Sequence, residues 1–395
     1  MRVDERLLSV FKGERPDVVP WFADLVYWYN ASVRRGTLPQ RYRADHVLDL
    51  YGNRFPAPNV PAHDNYEGDG VVQLYREMGC GCHEHALTMP WSAEYEDVAI
   101  SAVYQTDGIG DPALEEIEIR TPVGTLSQVR TYGPGSYCWA ITKRAVASVE
   151  DLRTLRFVYE HMHVSADYRQ QRRQMELWDG VGVVSSCPPK TPMASLITHW
   201  MGIVNASYAL ADARDEMERT ERAMERAMDP IFEIVEAAPA PLVYLADNIT
   251  GHVVSPSIFN TYYAPYYRRR LPGLWAAGKQ LFVHVDGTFR ALLRHIAATG
   301  VDCAQSLTPW PLGDVAVSEM RELAGPDLIL WSGVPGALFS PLYEEDMVRD
   351  VVMDCITYHK AHGRFIIGVC DEVPPDGLLE RVRLVTQLVD EFGRY

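Results

Sequence analysis

The stretch FVHVDGTFRALLRHI, residues 282–296, sets His284 and Asp286 one residue apart, at the end of an apolar run and ahead of a helix-like pattern. Far along the chain Cys370 closes a second apolar run, RFIIGVC, and Asp371 and Glu372 follow it. An imidazole, a carboxylate and a thiolate form a mixed nitrogen, oxygen and sulfur set that Zn²⁺ accepts, and three protein ligands leave one position open for a substrate. His284, Asp286 and Cys370 are therefore the candidate metal ligands. Two of them are anionic and neutralise the dication, which moderates its Lewis acidity. In the plainer reading Asp286 caps a helix beginning near Thr288 and His284 is structural.

Those residues do chemistry together only if the chain brings strand ends to one place. The C-terminal half alternates short apolar runs, at 240–246, 279–285, 301–307, 327–333 and 364–370, with amphipathic segments at 255–277, 287–299, 314–324 and 342–362, and 376–393 closes the chain. Runs of that length separated by helices are what a parallel sheet with crossover helices produces. Ser255-Pro256 and Ser340-Pro341 each put a capping hydroxyl before a proline suited to a first helical turn. Acidic residues 344–346 open the segment before Gly363, and His359, Lys360 and His362 end it, in the order that complements a helix dipole. Residues 205–237 read as one long helix or two abutting ones. Residues 180–186 and 18–25 supply further strands, and 97–145 alternates in a way that predicts hairpins.

These patterns predict a single α/β domain over residues 1–395, a (β/α)8 TIM barrel with an N-terminal antiparallel β excursion; a doubly wound open sheet is the alternative. In a barrel the chemistry sits at the C-terminal ends of the strands. Asp247 and Asn248 follow one strand, Thr308 and Pro309 another, and Glu372 a third. Asp247 and Glu372 are candidates for acid–base or anchoring work. Asp24, Trp28, Tyr29, Asn248 and Trp310 are candidates for lining a substrate pocket, with Trp139 and Trp200 as further aromatics better explained by packing. The segment GCGCHEH, residues 79–85, is the more obvious metal motif, yet a C-x-C-H without a second cysteine pair is weak support for zinc.

Composition narrows the class. The formal charge of −16 repels polyphosphate backbones and offers no basic stripe, which argues against nucleic acid. No apolar stretch approaches the roughly 20 residues of a membrane span, and the N-terminus is too charged for a signal-peptide core. A cytoplasmic location is expected. The seven cysteines are scattered and odd in number, which favours free thiols, with Cys187 near a strand end and Cys303 and Cys355 in the core.

The run ADNITGHVVSPSIFNTYYAPYYRRRLPGLWAAGKQLFVHVDGTFRALLRHIAATGVDCAQSLTPWPLGD resembles the uroporphyrinogen decarboxylase superfamily, as do LYREMGCGC, RTPVGTLSQVR and VASVEDLRTL earlier in the chain. The similarity spans roughly residues 5–394, and the superfamily fold is a (β/α)8 barrel. True decarboxylases of the superfamily carry an N-terminal Arg-Gln-Ala-Gly-Arg segment that binds propionates. Here the region reads WFADLVYWYNASVRRGTLPQRY, with Asp24, Trp28 and Tyr29 in place of cations. The other branch comprises corrinoid-dependent methyltransferases with a zinc held by His-x-Cys and a distant Cys. His284 matches the family histidine and Cys370 the distant cysteine, while Asp286 stands where the family has its first cysteine.

The resemblance thus implies a zinc-dependent methyltransferase that moves a methyl group from a small methylated compound to a corrinoid. The carboxylate ligand and nearby aromatics favour a methoxylated aromatic donor. No Asp-x-His-x-x-Gly cobalamin segment is present, so the corrinoid is expected on a partner protein; a homodimer is also compatible with the superfamily. The rival expectations are a decarboxylase of the uroporphyrinogen type and a non-catalytic small-molecule-binding barrel.

Overall fold

The computed structural model describes residues 1–48, 65–106 and 112–395. Eight parallel strands form its central sheet: β1 (Trp21–Phe22), β2 (Leu87–Thr88), β3 (Ser185–Ser186), β4 (Leu242–Ile249), β5 (Gln280–Val285), β6 (Cys303–Leu307), β7 (Ile329–Pro335) and β8 (Phe365–Cys370). Their order across the sheet is β1-β8-β7-β6-β5-β4-β3-β2. The two edges meet through the segment that leads into β2. Phe22 bridges Gly81, and Cys82 bridges Gly182, both in parallel. The sheet therefore curls round as a TIM-like barrel. The second strand position is interrupted: the chain makes its edge contacts at Gly81 and Cys82, turns through His83–Ala86, and resumes pairing at Leu87.

Alternation along each strand sorts side chains to the inside or the outside. Phe22, Leu242, Tyr244, Phe282, Cys303, Ile329, Trp331 and Ile366 pack together in the barrel interior. Their neighbours Val243, Leu245, Leu281, Val283, Ala304, Leu330, Phe365 and Ile367 face the surrounding helices. Burying each such apolar side chain contributes roughly 1.5–3 kcal/mol. Gly368 on β8 is required by this interior, because a Cβ there would stand 2.6 Å from Trp331 Nε1. The helix Val3–Phe11 plugs one end of the barrel with Leu7, Val10 and Phe11, and Phe11 meets Phe282 edge-on at 6.2 Å. The other end, where the strands finish, is left for chemistry.

The antiparallel excursion is present in the described residues as a four-stranded sheet of Ala99–Thr106, Pro112–Thr121, Gly124–Gly133 and Cys138–Lys143. Residues 107–111 of the predicted hairpins lie outside the described residues. The predicted 205–237 helix is two abutting helices, Gly202–Asp212 and Arg214–Ala237, broken at Ala213. Among the described residues, no helix is long and apolar enough to cross a membrane, and all seven cysteines are free thiols.

Two helix starts differ from the expectation. After β5 the helix runs only over Leu293–Ala297, because Asp314 binds the N–H groups of Phe289 and Arg290 and holds residues 287–292 as a loop. Asp286 thus caps no helix near Thr288. Ser340 donates to Asp376 at 2.7 Å and accepts from Leu342 N–H, making a turn, and the helix begins at Glu345. Ser255 does cap its helix, accepting from Ile258 N–H.

Candidate active site

The inside-outside alternation that fills the barrel also aims the residues at its mouth. Asp24 lies two residues beyond Phe22, His284 two beyond Phe282, Gln305 two beyond Cys303, and Cys370 four beyond Ile366. Each inherits the inward face of its strand. His284 is 4 % exposed, and its Nδ1 lies 2.6 Å from Gln305 Oε1. The amide oxygen can only accept, so Nδ1 carries a proton. That Nε2 is 3.6 Å from Asp371 Oδ1. Gln305 reaches a second imidazole as well, with its Nε2 3.5 Å from His83 Nε2.

His83 belongs to GCGCHEH, and the structure divides that motif between the mouth and the core. His85 is fully buried, bonded through Nδ1 to the Tyr75 hydroxyl at 2.9 Å, and Cys80 and Cys82 are buried. His83 and Glu84 instead turn toward Asp24. One ligand atom from each of Asp24, His83 and Glu84 lies within 4.8 Å of the other two, the one such group of His, Cys, Asp or Glu among the described residues. His284, Asp286 and Cys370 are not gathered to that spacing.

Electrostatics at the mouth are dominated by carboxylates. Burial raises the Asp24 carboxyl well above its ordinary pKa, and the charges of Glu372, Glu84 and Asp371 add to the rise. Glu84 is likewise raised by burial and then by Asp371 and Glu372, against a hydrogen bond from the Tyr244 hydroxyl. His83 is pushed down to about 3 by burial and by His284, so both of its neutral tautomers are open to it near neutral pH. Cys370 is 4 % exposed and its Sγ donates to Leu307 O at 3.5 Å; burial raises its pKa, and Asp371 and Asp286 lie close enough to raise it further. A dication offsets all of these repulsions and favours the thiolate, so the donor set fits one.

The remaining predicted residues have distinct places. Asp247 is buried with both oxygens engaged, accepting from Thr191 N–H at 2.7 Å and from the Tyr267 hydroxyl at 2.6 Å. Asn248 accepts from Lys190 Nζ at 2.9 Å. Glu372 contributes its charge to the Asp24 and Glu84 environment. Trp310 is exposed at the rim, whereas Trp28 packs against the core. Tyr29 is fully buried and donates to Tyr42 O at 2.6 Å. It lines a cavity of about 290 Å³ with Val33, Leu38, Arg43 and Tyr66, which includes none of the mouth residues above. Trp200 and Trp139 are respectively buried on Tyr159 and stacked by Arg130.

Comparison with known proteins follows the same lines. The family model described as Uroporphyrinogen decarboxylase (URO-D) matches residues 183–392. A solved methyltransferase from Methanosarcina mazei superposes with a TM-score of 0.59 at 13 % identity, over 99 % of each chain. No curated protein sequence matches.

Proposed function

The chain belongs to the uroporphyrinogen decarboxylase family, and from that premise we propose that it is a methyltransferase acting on a small methylated compound at the barrel mouth. The observation that carries this reading is the state of His284. Its Nδ1 donates to Gln305, which leaves Nε2 as the atom that faces the Asp371 carboxylate at 3.6 Å. A ring nitrogen held by a fixed acceptor is the usual support of a metal-bound histidine, and the Nε2–carboxylate pair this leaves at the mouth can take either a proton or a metal ion between its partners. The resemblance assigns zinc to His284, Asp286 and Cys370, with Asp371 beside His284, and these side chains would have to close on the ion, since they are not gathered to ligand spacing without it. The fit of sequence order to the methyltransferase branch supports this choice, and the solved Methanosarcina mazei methyltransferase has the same fold.

When bound, zinc stabilises charge on the heteroatom that leaves the methyl group. The chain's own residues do the rest. Burial and the neighbouring carboxylates make Glu84 and Asp24 hold protons more tightly than ordinary carboxyls when no cation lies among them. Tyr244 orients Glu84. Asp247 is a positioning residue, pinning Thr191 and with it the loop that presents Lys190. Exposed Trp310 offers a flat apolar face at the rim for an aromatic substrate. The methyl acceptor in this reading is a corrinoid brought by a partner protein, and the donor a methoxylated aromatic. Decarboxylation of a porphyrinogen is disfavoured, since Asp24, Glu84, Asp371 and Glu372 repel a polycarboxylate.

Zinc-loaded protein mixed with a cobalt(I) corrinoid protein and methoxylated aromatics is expected to yield the methyl-cobalt absorption spectrum, and His284→Ala is expected to abolish it. Absence of methyl transfer from methoxylated aromatics, methylamines and methylthiols alike would overturn the reading.

A further inference from the structure

We propose that Asp24, His83 and Glu84 form a divalent-cation site of their own, separate from the ligands grouped around His284. The site is built where β1 ends and where the second strand position is interrupted, so its three side chains come from two adjacent points of the sheet. A ligand atom of each lies within 4.8 Å of the other two. Asp24 and His83 are each 3 % exposed. Val26 N–H binds Asp24 Oδ1 at 3.0 Å, and Val373 N–H binds the Asp24 carbonyl at 2.9 Å, which fixes that ligand from two sides.

The independent sign of a missing ion is His83. Its Nδ1 is buried, has no hydrogen-bond partner, and lies 3.3 Å from Glu84 Oε1. A buried ring nitrogen without a partner is destabilising, and a metal bond removes that cost. Two carboxylates neutralise a dication in this enclosed place, and one imidazole completes a nitrogen and oxygen set without sulfur. Such a set suits Zn²⁺ or Mn²⁺ and is unsuited to soft Cu⁺. When Nδ1 binds the ion, the imidazole proton resides on Nε2, which faces the Gln305 amide at 3.5 Å. The amide then turns its oxygen toward His83 and gives up its bond to His284 Nδ1. The two sites thus share one acceptor, and filling one weakens the other.

The test is metal content, which needs no substrate. Gel-filtered protein is titrated with Zn²⁺ and analysed for bound metal, and Mn²⁺ binding is read by electron paramagnetic resonance. Wild type is expected to bind two ions of unequal affinity. Glu84→Gln and Asp24→Asn, both near-isosteric, should each lose one ion and retain the other, with His284→Ala losing only the other. One ion that disappears in Glu84→Gln yet persists in His284→Ala would support this site while removing the zinc from the proposed transfer reaction. Binding of a single ion that is unchanged in Glu84→Gln and Asp24→Asn, or binding of none, would overturn the proposal. Thermal unfolding of each variant checks that a lost ion is not a lost fold.

Discussion

One amide, Gln305, stands between two imidazoles and decides which nitrogen of each is available. Replacing it by Leu keeps its approximate volume and removes the acceptor that fixes the His284 tautomer. In a Glu84→Gln background, which leaves one site to be measured, Gln305→Leu is expected to weaken Zn²⁺ binding by about 10–100-fold by calorimetry. An unchanged affinity would separate Gln305 from the metal. At this scale the sequence is legible where a polar residue ends an apolar run, as His284 and Glu372 do, whereas Asp24 stands out only through the family resemblance. His83 and Glu84 do not stand out because a C-x-C-H without a second cysteine pair is weak support for zinc; the cysteines are buried, and the residues turned to the mouth are the two that follow them. His83 and Glu84 lie directly beyond the Gly81-Cys82 strand contacts. Gln305, a neutral amide inside an apolar strand, gave no such signal.

Strand geometry sets where those side chains point. The pairing of β4 with β5 slips between Leu245 and Ile249, and that of β6 with β7 slips between Gln305 and Leu307. At these irregularities Asn248 has φ 50° and Ser306 has φ 68°, backbone states in which L side chains are uncommon. The first irregularity takes in Asp247 and Asn248, and the second follows directly on Gln305. Asn248→Gly and Asn248→Val both lose the bond to Lys190, so their difference isolates the backbone. The Val variant is expected to be less stable than the Gly variant by about 1–3 kcal/mol, read from urea unfolding. Equal stabilities would show that the left-handed turn is not maintained. The sequence placed Asp247 and Asn248 after their strand, because a slip of register leaves no mark on hydrophobic period. The short helix after β5 was hidden for a similar reason: Asp314 suppresses its first turns from 24 residues away, measured to Arg290.

Over the whole molecule, the alternation of runs and amphipathic segments was enough to read a barrel, since each run had to be buried on both faces. The closing contacts at Gly81 and Cys82 were not legible, being too short to form a run. The formal charge of −16 is unevenly spread, and the helix Arg214–Ala237 carries Glu218, Glu221 and Glu225 along one side. Burial, helped by Glu225, pushes Glu221 up to about 7. An unfolded chain releases that proton near the ordinary value of about 4.5, so the folded state binds the extra proton and loses stability as pH rises through 4.5 to 7. Glu221→Gln is therefore expected to raise the melting temperature, and by more at pH 8 than at pH 5. A gain that is the same at both pH values would refute the assignment.

The turn His83–Ala86 is anchored at both feet, by Cys82 on one side and Leu87 on the other. A hinge fastened at each end cannot drift as a free flap does, so its contents hold their address while the rest of the barrel breathes. The anchoring thus turns His83 and Glu84 to the mouth while His85 and Ala86 stay packed in the wall beneath.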